Sequence, residues 1–221
     1  MLEVLKEQVC TIAKRAQQDG LCKHKSGNFS ALDPETKYIC ITPAGVNREF
    51  LTPRDIVVID FDANVIENLS GYKPTSETLM HIEIYKTRSD IRAVAHTHSL
   101  YATSFAVLNK PIPAIVYECA SMGLTKGRVP VAKYARPGTP ALAQSIVEPC
   151  QESNCFLLEK HGAVAIDSKN LYEAYLNASY IEELARLYYI SLTANNNVEP
   201  AHFPEEELQA WEYPKEIKFP K

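Results

Sequence analysis

The sequence lacks the features that would point to a membrane, a nucleic acid or an oxidising compartment. No apolar run approaches the roughly 18 consecutive residues needed to cross a bilayer. Basic residues are in deficit: 23 Lys and Arg stand against 27 Asp and Glu, a formal charge of −4. That balance argues against a nucleic-acid or anionic-lipid surface. It leaves room for a small anionic substrate, which needs only a local cluster of donors. No Cys-x-x-Cys pair occurs among Cys10, Cys22, Cys40, Cys119, Cys150 and Cys155, so a cysteine metal site is not expected. Reduced, packed thiols are. No linker, low-complexity block or internal repeat marks a boundary, and a single domain is expected. The opening residues 1–7 lack the charged-then-apolar layout of a secretory leader, so the expected location is the cytoplasm.

What is present is ordinary globular material: 221 residues, 46% hydrophobic and 23% charged, enough for one sizeable core. Leu2, Leu5, Val9, Ile12, Ala13 and Ala16 fall at helical spacing before Gly20, predicting a helix over 2–19. Short β-type runs follow at 29–32, 38–42, 55–60 and 65–67, divided by turn residues, which predicts hairpins. A helix opens at 74–77 with a hydroxyl residue as its expected N-cap and runs to about 86. A strand over 91–98, a helix over 99–108, a helix over 138–147, strands at 155–158 and 163–166, and a long helix over 171–194 complete the pattern. The tail beyond Asn195 is proline-rich, with room for one short helix. The expected fold class is α/β, a three-layer α/β/α domain. Its central sheet is mostly antiparallel or mixed, because several adjacent strands leave no room for a helical crossover.

The strand at 91–98 closes on His96-Thr97-His98. Alternation sends both imidazoles to one side of the strand, which is half of a metal site. Two histidines at a strand end are also a common structural motif, so their company decides. His161, beside Gly162 at another strand end, is the best third ligand; His24 and His202 lie in polar segments, and His81 sits one helical turn beyond Glu77. Glu77 is the candidate carboxylate. It stands at a helix start with Thr75 and Ser76, a setting that suits either a helix-stabilising acid or an anion site. Ser26-Gly27-Asn28 and Thr42-Pro43-Ala44-Gly45 are two further turns able to present donors, with Lys25 and Lys73 alongside. Tyr117 follows an apolar segment and reads equally as a core aromatic or a proton donor.

In order and spacing these segments resemble the class II aldolase/adducin family, in its sugar-phosphate aldolase branch. The likeness is carried by Ser26-Gly27-Asn28, Thr42-Pro43-Ala44-Gly45, Lys73-Pro74-Thr75-Ser76-Glu77, Ala95-His96-Thr97-His98 and Lys160-His161-Gly162. It covers residues 1–195, with 196–221 as a C-terminal tail of the same domain. The resemblance implies that His96, His98 and His161 bind Zn²⁺, with Glu77 as a fourth ligand in the empty enzyme and the catalytic acid/base once substrate arrives. It implies that Gly27, Asn28, Gly45, Thr75 and Ser76 hold a substrate phosphate. Tyr117 would protonate the aldehyde oxygen across a subunit boundary in a homotetramer. The implied reaction is reversible cleavage of a ketose 1-phosphate, with L-fuculose 1-phosphate as the leading substrate, to dihydroxyacetone phosphate and L-lactaldehyde. Sugar-phosphate 4-epimerases, which typically carry Asp where this chain has Glu77, and methylthioribulose-1-phosphate dehydratases share the pattern. A non-catalytic adducin-like interaction module is the reading from a different class. Two departures stand out. Ala44 replaces a hydroxyl residue of the fuculose-phosphate member. The tail matches poorly, leaving Trp211 and Tyr213 as candidates for an aromatic at the site, with Tyr213 preferred.

Overall fold

The computed structural model describes residues 1–124 and 126–210. Its strands are β1 Asn28–Leu32, β2 Ile39–Ile41, β3 Val57–Ile59, β4 Val65–Glu67, β5 Ala93–Thr97, β6 Ile112–Pro113, β7 Arg128–Val129, β8 Val131–Ala132, β9 Cys155–Leu158 and β10 Gly162–Asp167. Its helices are α1 Glu3–Gln18, α2 Thr78–Thr87, α3 Leu100–Val107, α4 Pro140–Ser145, α5 Val147–Glu152, α6 Leu171–Ala194 and α7 Glu205–Ala210. Eight strands form one sheet in the order β4-β3-β2-β1-β5-β10-β9-β8, and β6 pairs with β7 separately. β8 runs parallel to β9; the other pairings of the large sheet are antiparallel. The sheet is therefore mixed and mostly antiparallel.

Strand alternation divides the core into two layers. Phe29, Ala31, Ala93, Ala95, Ala163 and Ala165 face α1, α3 and α6, whereas Leu32, Val94, Val164 and Ile166 face α2, α4 and α5. The alanines of β5 and β10 make a flat floor. Ala174, Ala178 and Ala185 of α6 lie on that same side, so the long helix packs closely on the two central strands. No helix among the described residues is long and apolar enough to cross a membrane. All six cysteines are unpaired and buried.

Two local expectations need correction. The helix expected over 138–147 ends at Ser145, and a second short helix, Val147–Glu152, follows it. Pro149 has no N–H to donate to the Ser145 carbonyl, which interrupts the ladder between α4 and α5. The N-cap of α2 is Glu77 rather than a hydroxyl residue, and its side chain does not cap the helix. The nearby hydroxyls are engaged locally: Thr78 donates to the Thr75 carbonyl at 2.6 Å, and Thr75 Oγ1 accepts from the Glu77 N–H at 3.4 Å. The Glu77 carboxylate is thereby left to serve something other than its own helix.

Candidate active site

β5 lies in the middle of the sheet, and all five of its residues are buried. At its end the side facing α2, occupied by Val94 one turn of the pleat earlier, passes to His96. β10 runs antiparallel beside it with Ala163 opposite Thr97, so the turn before β10 brings His161 next to His98. Gly162 makes this approach feasible. A Cβ there would collide with the Thr97 carbonyl oxygen and press on the rings of His96 and His98 at 3.2 and 3.3 Å. The three imidazoles meet with ring centroids 4.8, 4.8 and 5.0 Å apart. One ligand atom from each lies within 4.8 Å of the others.

Hydrogen bonding fixes the tautomer of His96. Its Nδ1 lies 2.9 Å from the Ala163 carbonyl oxygen, so Nδ1 carries the proton and donates, as second-sphere partners of metal-binding histidines do. Its Nε2 then faces His98 Nε2 at 2.9 Å and Glu77 Oε2 at 3.0 Å. His161 Nε2 lies 3.2 Å from Glu77 Oε1, an oxygen that has no hydrogen-bond partner although it is buried. Nitrogen lone pairs and carboxylate oxygens crowded together in this way repel unless a cation sits among them. Three imidazoles and a carboxylate are a donor set suited to a divalent transition metal, so the residues present fit such an ion.

The protonation pattern agrees. Burial is the largest influence on Glu77 and pushes its pKa up, but His96, His161 and the Asn28 amide outweigh it and hold the carboxyl below the usual range. Burial, then the His96 charge, drives His98 down to about 3 and His161 down to about 4. Both stay neutral, the state in which an imidazole binds metal. His96 moves the other way: burial opposes its charge, but Glu77 and the Ala163 carbonyl raise its pKa. The centre calls for one positive charge, which a proton on His96 or a metal ion can supply.

A cavity of about 200 Å³ opens above this floor. Of the residues expected at the site, Gly27, Asn28, Gly45, Thr75, Ser76, Glu77, His98 and His161 line it, with His96 buried beside Glu77. Loops 42–45 and 73–76 are stitched together by Ala44 N–H to the Lys73 carbonyl at 2.9 Å and Thr75 N–H to the Thr42 carbonyl at 3.0 Å. At Gly27 the φ of +75° and the nearness of the Cys22 sulfur and His96 carbonyl leave no room for a side chain. Tyr117 is half-exposed and does not line the cavity of its own chain. Trp211 and Tyr213 fall outside the described residues. A larger groove of about 520 Å³ lies elsewhere, around Arg128, Glu148 and Glu152, but it holds none of the converging ligand atoms.

Arg48 escapes the sequence reading, whereas His81 is noted there for its place one helical turn beyond Glu77. Arg48, in a loop that reads as solvated, is 2% exposed and lines the cavity. One of its nitrogens donates to the Gly27 carbonyl, while Nε and Nη1 have no partner. No periodicity or motif announces it. His81 is fully buried and bonded to Asn28 rather than placed among the ligand atoms. Its spacing from Glu77 was the available signal.

The family model for the Class II Aldolase and Adducin N-terminal domain matches residues 7–189. The chain belongs to this family. It is 34% identical to a 5-deoxy-D-ribulose 1-phosphate aldolase of Bacillus thuringiensis, over 95% of this chain and 94% of the relative. It is 31% identical to a probable L-ribulose-5-phosphate 4-epimerase of Mycoplasma pneumoniae, over 91% and 88% respectively. A solved L-fuculose 1-phosphate aldolase superposes with a TM-score of 0.85 at 35% identity, covering 93% of each chain. This member of the class II aldolase family is thus an enzyme of the lyase type, and His96, His98 and His161 form a group able to bind a metal.

Proposed function

We propose that the chain is a Zn²⁺-dependent aldolase. It would cleave a ketose 1-phosphate reversibly to dihydroxyacetone phosphate and a short hydroxyaldehyde, with L-fuculose 1-phosphate as the leading substrate and L-lactaldehyde as its aldehyde. The observation that carries this reading is the convergence of three histidine nitrogens and the buried Glu77 carboxylate on one floor, beneath a cavity walled by anion-type loops. Two of the relatives support a ketose 1-phosphate, since 5-deoxy-D-ribulose 1-phosphate and L-fuculose 1-phosphate both carry phosphate on C1.

His96, His98 and His161 would hold the metal, with Glu77 as a fourth ligand before substrate enters. A bound divalent ion supplies Lewis-acid polarisation of the substrate oxygens. Glu77 handles the proton at carbon. In the synthetic direction its carboxylate takes a C3 proton from dihydroxyacetone phosphate, and the C–H electron pair passes into the adjacent carbonyl. In cleavage the C3–C4 bond breaks, its electron pair stays with the dihydroxyacetone phosphate half, and Glu77 returns the proton to C3. The C4 hydroxyl proton leaves to Tyr117 as C4 becomes the aldehyde. Tyr117 and Tyr213 would reach the site from a neighbouring copy in a homotetramer, which fits a Tyr117 half-exposed on its own chain.

Gly27, Asn28, Gly45, Thr75 and Ser76 form the proposed phosphate cradle, and Arg48 and Lys25 give it positive charge within an acidic protein. A phosphate held there fixes the reacting carbons over Glu77, turning binding energy into orientation. The test is to incubate the zinc-loaded protein with a panel of ketose 1-phosphates and ketose 5-phosphates. Release of dihydroxyacetone phosphate, greatest from L-fuculose 1-phosphate, is the expected result. An epimer or a dehydrated ketose as the sole product overturns the aldolase reading.

A further inference from the structure

Five polar side chains cross the apolar layer between α2 and β1. Glu77, His81 and Tyr85 lie at successive i, i+4 positions along α2, one above another on a single face. Asn28 and Ser30 lie two apart on β1, on the face turned toward that helix. All five are buried, His81 and Ser30 completely, among Leu32, Ile41, Ile84 and Val94. An apolar layer could have been completed here with apolar residues, so five buried polar groups need a reason.

Their donors and acceptors run in one direction. The Asn28 amide Nδ2 donates to Glu77 Oε2 at 2.9 Å. That leaves Asn28 Oδ1 facing His81 Nε2 at 2.5 Å. A carboxamide oxygen only accepts, so Nε2 must carry the proton. Burial keeps the ring neutral, holding His81 down to about 3, so Nδ1 has a lone pair. It accepts from the Ser30 hydroxyl at 2.7 Å, and the Ser30 oxygen in turn accepts from the Tyr85 hydroxyl at 2.8 Å. Every proton in the chain points toward the Glu77 carboxylate.

The arrangement admits one orientation of Asn28. With the other histidine tautomer, Nε2 would offer a lone pair, the carboxamide would turn its nitrogen toward it, and Asn28 would present oxygen to a carboxylate. We propose that His81 is a positioning residue for the proton transfer assigned to Glu77. By fixing the Asn28 carboxamide it occupies Oε2 and leaves Oε1, the oxygen without a hydrogen-bond partner, as the one that carries the proton. Ser30 and Tyr85 hold the histidine tautomer that makes this possible. This inference rests on the acid/base role proposed for Glu77.

The test uses zinc-loaded protein and follows deuterium uptake from D₂O into dihydroxyacetone phosphate without aldehyde, which isolates the step at carbon. His81→Leu is expected to lower the maximal exchange rate about 10- to 100-fold, with unchanged zinc content and a KM within about threefold. His81→Gln, which keeps an N–H donor, should recover most of the loss. Because His81 acts through Asn28, adding His81→Leu to Asn28→Ala should slow exchange no further. A loss confined to KM or zinc content, or a double variant slowed by the product of the two single effects, overturns the proposal. Nitrogen-15 NMR of the wild-type histidines tests the chain without turnover: His81 should be the neutral Nε2–H tautomer. Finding the Nδ1–H form or a doubly protonated ring at neutral pH overturns it even if His81→Leu fails to fold. Absence of exchange in the wild type strikes at the aldolase reading instead, and the NMR result then decides the hydrogen-bond chain by itself.

Discussion

The floor and the rim of the same cavity are built differently. On the floor, Asn28, Glu77 and His96 are buried and held by side chains and carbonyls of strands β1, β5 and β10 and helix α2. On the rim, Lys25, Ala44, Gly45 and Ser76 are exposed loop residues, and the half-exposed Tyr117 lies away from them. A buried, mutually bonded set tolerates little change, because removing one member strands the others. An exposed loop tolerates a good deal more. The floor is thus where a shared reaction is expected to be preserved, and the rim is where relatives named for different substrates are expected to diverge.

The contrast can be broken first at the metal. Stripping it with a chelator should abolish dihydroxyacetone phosphate release, by at least about a thousandfold, and Zn²⁺ should restore it; full turnover in a sample shown metal-free by elemental analysis would contradict the floor's assigned role. Glu77→Gln comes next, with kcat expected to fall about 10²- to 10⁴-fold while zinc content stays at the wild-type level.

Acid should loosen the floor before the rim. His81 is held neutral in the fold, with its pKa pushed down to about 3 by burial, whereas the unfolded ring titrates near 6.5. Its contribution to stability is complete above about pH 6.5. It declines as pH falls toward the folded value, because the unfolded chain takes up a proton that the fold refuses. Between pH 7.5 and 5 this amounts to about 2 kcal/mol. His98 and His161, also held neutral in the metal-free fold, add to the same loss. Urea unfolding of the metal-free protein at the two pH values is therefore compared between wild type and His81→Gln, and the variant should show a pH difference smaller by about that amount. The mildest expected change is on the cavity wall. Arg48→Met should raise KM for the phosphorylated substrate about 10- to 100-fold, the cost of losing a charge-assisted hydrogen bond. Inhibition by inorganic phosphate should weaken in parallel, and kcat should change only a few-fold. An unchanged phosphate inhibition constant would show that Arg48 serves the Gly27 loop rather than an anion.

The sequence was most legible where a residue's position along an element determines its direction. His96 and His98 could be placed from strand alternation, the long helix α6 from its periodicity, and the sheet's mixed character from strand spacing. Legibility failed where tertiary packing overrides local pattern. Arg48 sits between an asparagine and a glutamate, in a setting that resembles a solvated turn, yet the fold buries it. Glu77 could be placed at a helix start, but not turned away from that helix, because the turning depends on Asn28 and His96 arriving from two other strands. The break between α4 and α5 is marked in the sequence by Pro149, which has no N–H to donate.

Gly162 bears on how the three histidines should be regarded as a unit. Its neighbours are the carbonyl of Thr97 and the rings of His96 and His98, so its hydrogen atom fits a gap between β10 and β5 that a side chain would overfill. A methyl group there would act as a wedge driven between the two strands that carry the triad, spreading the imidazoles without altering any of them. In sequence terms Gly162 therefore belongs with the three histidines and Glu77, four residues with electrons to donate and one that contributes the bulk it does not have. A search for this centre in other chains that scores histidines alone would accept sequences whose strands cannot shut.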